Sequence, residues 1–440
     1  KARAQLPPEL TALPLFIVGN GPSLEEDLDF LAANAGRALV LACGSAAETL
    51  NRRGIRPDFI CITERIPTVA LQLELIEDEE FFKETILLAT DVVHPEVVRR
   101  FTRCLMMVKS DGCFDAYLSE ILNEGRSAGG EDAPARIDMI NPLVGNHGLS
   151  AAITLGFREL YLFGIDLGVP VTDKRLHARS SRTYGGEGLT DITHRDEALV
   201  IRRPGNFGGE YLSDEIFEMS ALRMELLLAA HEGQVHCYNC AHGCRIKGAE
   251  PKHSGALHFP PLSAGARAQL GALFSDECSV TLQPPGEQQQ MRQREGFERL
   301  RAALARQFTP VPQSRTALIK QLMGTAALLT QAAAEGNACA ARMLNGSINM
   351  ACAQIMYAVF SEGDDTAALG RAQRMLTRVG YFLEDAASLY AKVPGYIMGD
   401  EHLSKLAGKV GRDHPESPAP MAPQDWRHYL PRRWWRQAPG

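Results

Sequence analysis

Leu15-Phe16-Ile17-Val18-Gly19-Asn20-Gly21-Pro22-Ser23-Leu24-Glu25-Glu26 is the stretch that decides the fold of this 440-residue chain. A short apolar run enters a glycine-bracketed turn, and a helical stretch follows, so it reads as strand, turn, helix. Ser23 followed by Glu26 has the spacing of a capping box, which predicts a well-specified helix start. Gly19 and Gly21 permit positive φ and let backbone N–H groups turn toward a ligand. A helix N-terminus behind such a turn is an anion site. The same residues serve equally as a tight strand-to-helix turn. A dinucleotide fingerprint would need a third glycine where Leu24 stands and an acid closing the next strand, where Leu41-Ala42-Cys43-Gly44 has none. With no Gly-Lys-Ser/Thr present, a P-loop is excluded.

Outward from this motif the pattern repeats. Apolar runs at 13–18, 38–42, 58–63, 85–89, 104–108, 137–140, 159–163 and 234–238 alternate with amphipathic helical stretches. Runs with so little polar content need apolar cover on both faces, which is the mark of a parallel sheet. Right-handed crossovers then predict an α/β, Rossmann-like, doubly wound domain, followed by a C-terminal α-helical domain. The expected boundaries are an α/β domain over 1–250, a linker over 251–289, helices over 290–410 and a Pro/Arg/Trp-rich tail over 411–440. Two interruptions fall inside the first domain: an exposed, mobile insertion at 125–136 and a long glycine-rich segment at 168–212. The longer one is expected to be a lid.

Composition narrows the function classes. Hydrophobic residues make up 45% and charged residues 22%, with a net charge of −7, which suits a folded globular protein and argues against nucleic acid as a partner. No apolar run reaches the roughly 18 residues of a membrane span, so no transmembrane segment is expected. The 10 cysteines are scattered through apolar runs and read as reduced thiols of a cytoplasmic protein. His236, Cys237, Cys240, His242 and Cys244 have zinc-like spacing but lack a second ligand pair, and the one Asp-x-Asp, Asp27-Leu28-Asp29, lies inside the first helix. Neither a metal nor a cofactor is expected. The tail carries all three tryptophans, and Trp434 and Trp435 either fold back on the body or serve as a partner or membrane-surface anchor. Because the chain begins at Lys1 rather than at a methionine, an upstream part is expected to be missing.

A second small-residue turn opens a helix at Asn141-Pro142-Leu143-Val144-Gly145-Asn146-His147-Gly148, and the next strand ends in Gly164-Ile165-Asp166. Two helix N-termini facing one crevice would hold a nucleotide phosphate from both sides. Gly19-Asn20-Gly21-Pro22-Ser23-Leu24, together with Leu155-Gly156-Phe157-Arg158-Glu159-Leu160-Tyr161-Leu162-Phe163-Gly164-Ile165-Asp166, resembles the bacterial CMP-sialic acid transferases and the motility accessory factor (Maf) flagellin glycosyltransferases. Gly44-Ser45, Gly54-Ile55-Arg56-Pro57-Asp58, Thr90-Asp91-Val92-Val93-His94-Pro95 and Cys237-Tyr238-Asn239-Cys240 resemble further Maf blocks, so the likeness covers about 13–250.

The resemblance implies a glycosyltransferase that moves pseudaminic or legionaminic acid from a CMP-activated donor to Ser/Thr hydroxyls of flagellin. It implies nucleotide contacts from Gly19, Asn20, Gly21, Ser23, Gly44, Ser45, Asn146, His147 and Gly148, with His147 standing where those transferases have serine. His177, Tyr184, His194 and Tyr211 fall in the segment that carries the base and phosphate donors of the sialyltransferases. His177 is expected as base, Tyr184 as phosphate donor and Asp166 as a further catalytic group. Arg175, Arg179 and Arg182 are candidates for a sugar carboxylate. The chain resembles pterin pyrophosphokinases more distantly. That reading would need Mg²⁺ on Glu64, Asp91 and Asp166. A third reading is a non-catalytic nucleotide-sugar-binding flagellin chaperone.

Overall fold

A computed structural model of the chain describes residues 6–65, 68–110, 112–122, 135–173, 175–184, 199–274 and 286–390. His194, most of the insertion at 125–136, residues 185–198 of the expected lid and the Trp-rich tail lie outside the described residues. Twelve strands are described. In chain order they are β1 Leu15–Val18, β2 Leu39–Cys43, β3 Phe59–Ile62, β4 Ile86–Thr90, β5 Arg103–Lys109 and β6 Arg136–Ile137. Then come β7 Glu159–Phe163, β8 Val169–Pro170, β9 Ile201–Pro204, β10 Glu210–Ser213, β11 His236–Asn239 and β12 Glu250–Pro251. Helices α1 Pro8–Thr11, α2 Leu24–Asn34, α3 Ala46–Arg52, α4 Thr68–Glu74, α5 Glu79–Glu84, α6 Pro95–Arg100 and α7 Cys113–Leu122 lie in the first third. They are followed by α8 Val144–Thr154, α9 Glu215–Ala230 and α10 Ala266–Leu273.

Nine strands form one parallel sheet in the order β12-β11-β7-β1-β2-β3-β4-β5-β6. Alternate residues of each inner strand feed two separate apolar layers. Leu15, Ile17, Leu39, Leu41, Phe59 and Leu162 pack with α8 and α9 on one face. Phe16, Val18, Val40, Ala42, Ile60 and Phe163 pack with α2, α3, α5 and α6 on the other. The fold is therefore the doubly wound α/β arrangement that the apolar runs predict. The chain builds outward from β1 to β6, then returns to place β7 against the opposite side of β1. That reversal puts the switch point of the sheet at the carboxyl ends of β1 and β7, the place where ligands of doubly wound sheets bind.

The chain divides into two compact units, one of residues 1–110 with 131–280 and one of 111–130 with 281–440. Two stretches differ from the boundaries expected above. Residues 251–274 are part of the α/β unit: Phe259 packs edge-on to Phe16 at 5.3 Å, and Leu270 and Phe274 enter the sheet's core. Conversely, α7 groups with the helical unit, where Tyr117 and Ala116 pack on Cys339. A proline-rich composition marks irregular backbone without revealing whether that backbone is packed.

The helical unit holds α11 Glu287–Phe308, α12 Arg315–Ala334, α13 Ala338–Phe360 and α14 Asp365–Tyr390. Leu304, Leu322, Ile348, Ile355 and Leu376 share its core. Arg315 closes the end of α13 by donating to the carbonyls of Val359 and Glu362, each at 2.7 Å, and to Asp365 Oδ1 at 2.7 Å. Replacing Arg315 with methionine is expected to destabilise this unit by about 1 kcal/mol, since the carbonyls regain water on one side. The check is the urea midpoint of the helical circular-dichroism signal. No described helix is long and apolar enough to cross a membrane.

Candidate functional site

The loops after β1 and β7 are joined to each other. Gly19 N donates to Phe163 O and Gly21 N to Gly164 O, both at 2.8 Å. A Cβ on Gly19 would stand 2.5 Å from Gly164 O, one on Gly21 2.6 Å from Asp166 Cγ, and one on Gly164 2.4 Å from Gly19 O. Gly164 is also left-handed, with φ +60°. These glycines are small because two backbones meet there. Ser23 then ties the loops together: its N donates to Asp166 Oδ2 at 2.8 Å and its hydroxyl to Asp166 Oδ1 at 2.5 Å. The expected capping box is therefore not formed, because Asp166 takes the Ser23 hydroxyl and no side-chain cap bond is made to α2. Asp166 is buried, and desolvation pushes its carboxyl up to about 7 against the two Ser23 bonds. Leu167 follows in the left-handed region at φ +51°, its carbonyl held by Ser213 at 3.1 Å and the Cys244 thiol at 3.2 Å.

Asn20 is the hub of a second network. Its side chain donates to Ser45 Oγ at 3.1 Å and Ser181 Oγ at 3.0 Å, and accepts from Thr49 Oγ1 at 3.0 Å. Its carbonyl accepts from Ala178 N at 3.0 Å. Further bonds fasten 178–182 over α2 and α3: Ser180 N to Glu25 at 2.6 Å, Arg52 to Ser180 O at 2.6 Å, and Arg182 N to Glu48 at 2.9 Å. The described part of the expected lid is thus a strap anchored to the body. It also includes β8, β10 and β9, which pair as a small antiparallel sheet.

The strap brings His177 and Tyr184 together, stacked with ring centroids 3.6 Å apart and planes 12° from parallel. Tyr184 and Ser45 share a hydroxyl hydrogen bond, and burial raises the Tyr184 phenol above its ordinary pKa. Gly44, at φ +53°, makes the turn that presents Ser45. Asn20, Ser45, His177 and Tyr184 therefore meet in one cluster over the ends of β1 and β2. The three candidate arginines do not converge there. Arg175 pairs with Asp173 at 2.5 Å, Arg182 reaches Glu77 at 3.6 Å, and Arg179 is exposed.

The start of α8 is a packing element. Asn146 is buried, accepting from Ser220 Oγ at 2.6 Å and donating to Ser220 O at 2.9 Å. A Cβ on Gly148 would lie 2.6 Å from Cys43 Sγ, so this glycine lets α8 lie close on the sheet. His147 is fully buried with Nδ1 3.3 Å from Thr63 Oγ1, and desolvation pushes its pKa down to about 4. It is neutral at pH 7.

The loop after β11 holds His242, which the sequence marks only by the zinc-like spacing of its neighbours. Cys237 points into one apolar layer and Cys240 into the other, because side chains of a strand alternate. Cys237 and Cys240 therefore cannot share one ion, and among the described residues no group of three or more His, Cys, Asp or Glu that could hold a metal is found. His242 instead stands beside Glu26, with Nδ1 3.5 Å from Glu26 Oε2. Its position just past a strand's carboxyl end was the available signal. Tyr211 of β10 lies within the field of Asp166 and Glu26, and burial raises its pKa first among these causes.

Residues 4–172 match the family described as 6-hydroxymethylpterin diphosphokinase MptE-like. The chain is similar in fold to the Maf glycosyltransferase from Magnetospirillum magneticum AMB-1, with a TM-score of 0.56 and 20% identity over 93% of this chain and 62% of that one. It thus spans about 62% of that protein's length. No curated protein matches the chain.

Proposed function

We propose that this chain is a cytoplasmic glycosyltransferase that moves a nonulosonic acid, of pseudaminic or legionaminic type, from a CMP-activated donor to Ser/Thr hydroxyls of flagellin. The observation that carries the reading is the hydroxyl and amide cluster of Asn20, Ser45 and Tyr184 at the carboxyl edge, beside the β1–β7 switch point. Transfer from a CMP-linked sugar needs hydrogen-bond donors where phosphate charge develops, and water kept away while it does. Tyr184 and Ser45 suit the first task, and the strap suits the second. The His177 ring is stacked on Tyr184, which supports a place for it beside the phosphate rather than in the role of base expected from the resemblance. The likeness to a Maf glycosyltransferase runs through the helical unit as well as the sheet, since it covers 93% of the chain.

The family match over 4–172 favours a second reading, diphosphate transfer from ATP. That chemistry needs carboxylates free to hold Mg²⁺. Asp166 fits it least well of the three candidates. Both Asp166 oxygens take Ser23 bonds, Asp91 Oδ1 accepts from Lys109 N at 3.1 Å, and Glu64 Oε2 accepts from Thr63 N at 3.2 Å.

Calorimetric titration with CMP, with and without EDTA and against ATP and NAD, separates the two. Micromolar-range CMP binding that survives EDTA is expected, weakened about tenfold or more in Asn20→Ala, which leaves three polar partners unsatisfied. Mg²⁺-dependent ATP binding with no CMP binding would replace this reading by the kinase one.

A further inference from the structure

His242 is held in place from several sides. Gly243, next in the chain, lies directly on the Asp166 turn: a Cβ there would be 2.3 Å from Asp166 Cα. Asn206 pins the β9–β10 turn to the same loop, its N donating to Gly243 O at 2.8 Å and its amide to Asn239 O at 2.9 Å and Ala241 O at 3.0 Å. This seats Phe207 against His242, ring centroids 4.8 Å apart, and stacks Phe207 on His253 at 3.8 Å. Glu26, in the first turn of α2, faces His242 Nδ1 at 3.5 Å. Glu26 N bonds Ser23 O at 3.1 Å and Ser23 bonds Asp166, so the pair belongs to the same carboxyl edge as the site above. Yet the His242 side chain remains 40% exposed.

A carboxylate facing Nδ1 favours the tautomer with the proton on that nitrogen and leaves Nε2 as the basic one. Beside the β7 end, this pair sits across the Asp166 turn from the hydroxyl cluster over β1 and β2. We propose that His242, oriented by Glu26, is the general base that receives the proton of the acceptor hydroxyl, with Glu26 as its positioning residue. The assignment rests on the glycosyltransferase reading. As the bond from the anomeric carbon to the CMP phosphate oxygen breaks, CMP leaves with the electron pair. The acceptor oxygen bonds to that carbon, and its proton passes to His242 Nε2.

Three measurements on the full chain test this. Long-range proton–nitrogen NMR is expected to show His242 protonated at Nδ1 and bare at Nε2, with a tautomer mixture in Glu26→Ala. A neutral His242 ring that carries its proton on Nε2 in the unsubstituted protein would overturn the assignment without any turnover being needed. His242→Gln is expected to keep CMP affinity within about twofold and to lower kcat for transfer roughly a hundredfold or more, with KM for the donor little changed. The probes are CMP-pseudaminic and CMP-legionaminic acid with a serine-rich acceptor protein. Transfer that persists at the normal rate in His242→Gln would overturn the base assignment alone. Absence of CMP binding in the unsubstituted chain would overturn the reading beneath it, and the assignment with it.

Discussion

Gly164→Ala is expected to destabilise the α/β unit by about 4 kcal/mol and to lower its apparent melting temperature by roughly 10 °C. Two causes add. At φ +60° an L side chain costs about 1–2 kcal/mol. The new methyl would also stand 2.4 Å from the Gly19 carbonyl, which cannot retreat because Gly19 N is itself bonded to Phe163 O at 2.8 Å. Gly36→Ala is the control, since a Cβ there meets nothing within 4 Å. If differential scanning calorimetry finds the two variants within about 1 kcal/mol of each other, the two loops are not packed as described.

Asp166→Asn is expected to remove a pH dependence of roughly 3 kcal/mol between pH 4.5 and 8. Burial holds the Asp166 carboxyl at about 7, against the ordinary 3.8 of an unfolded chain. Between those values the folded protein keeps a proton that the unfolded chain has released. Stability is therefore greatest at low pH and is withdrawn as pH rises through 7. His147 acts in the opposite sense, with a folded value of about 4 against 6.5, so its part is gained as pH rises through that window. Because His147 is present in both proteins, it cancels when the two are compared. Asparagine can offer its oxygen to Ser23 N and its amide to Ser23 Oγ, so the loops stay joined. Urea unfolding at pH 4.5, 6.5 and 8 measures the difference; parallel curves for the two proteins would show that the folded Asp166 carboxyl is ionised throughout that range.

Part of the candidate site is legible in the sequence. Asn20 lies in the glycine-bracketed turn after the first apolar run, its site role and those of Ser45, His177 and Tyr184 come from the family resemblance, and the fold brings the four together. Their reasons were less visible. The partner that keeps Asn20 buried, Ser181, is 161 residues away, and Asn146 meets Ser220 across 74. His147 and Gly148 looked like ligand contacts because they open a helix, but that end of α8 is packed into the sheet. Glu26 read as a capping residue because Ser23 precedes it by three, whereas Asp166 takes the Ser23 hydroxyl and Glu26 faces His242.

The sequence by itself determined the parallel sheet and its cover of helices. A run such as Leu39-Val-Leu-Ala-Cys43 has no polar face to give to water, so only burial on both sides satisfies it. It likewise determined that the ends of those runs would carry polar turns. Tertiary structure alone decided which turns touch, which residues answer each buried polar group, and that 251–274 and α7 belong to units other than those their composition suggested. The physical reason is range: patterning states which face of a segment must be hidden, and a short stretch carries that demand locally. The groups that meet the demand come from wherever the chain returns, and that is set by the packing of the whole sheet.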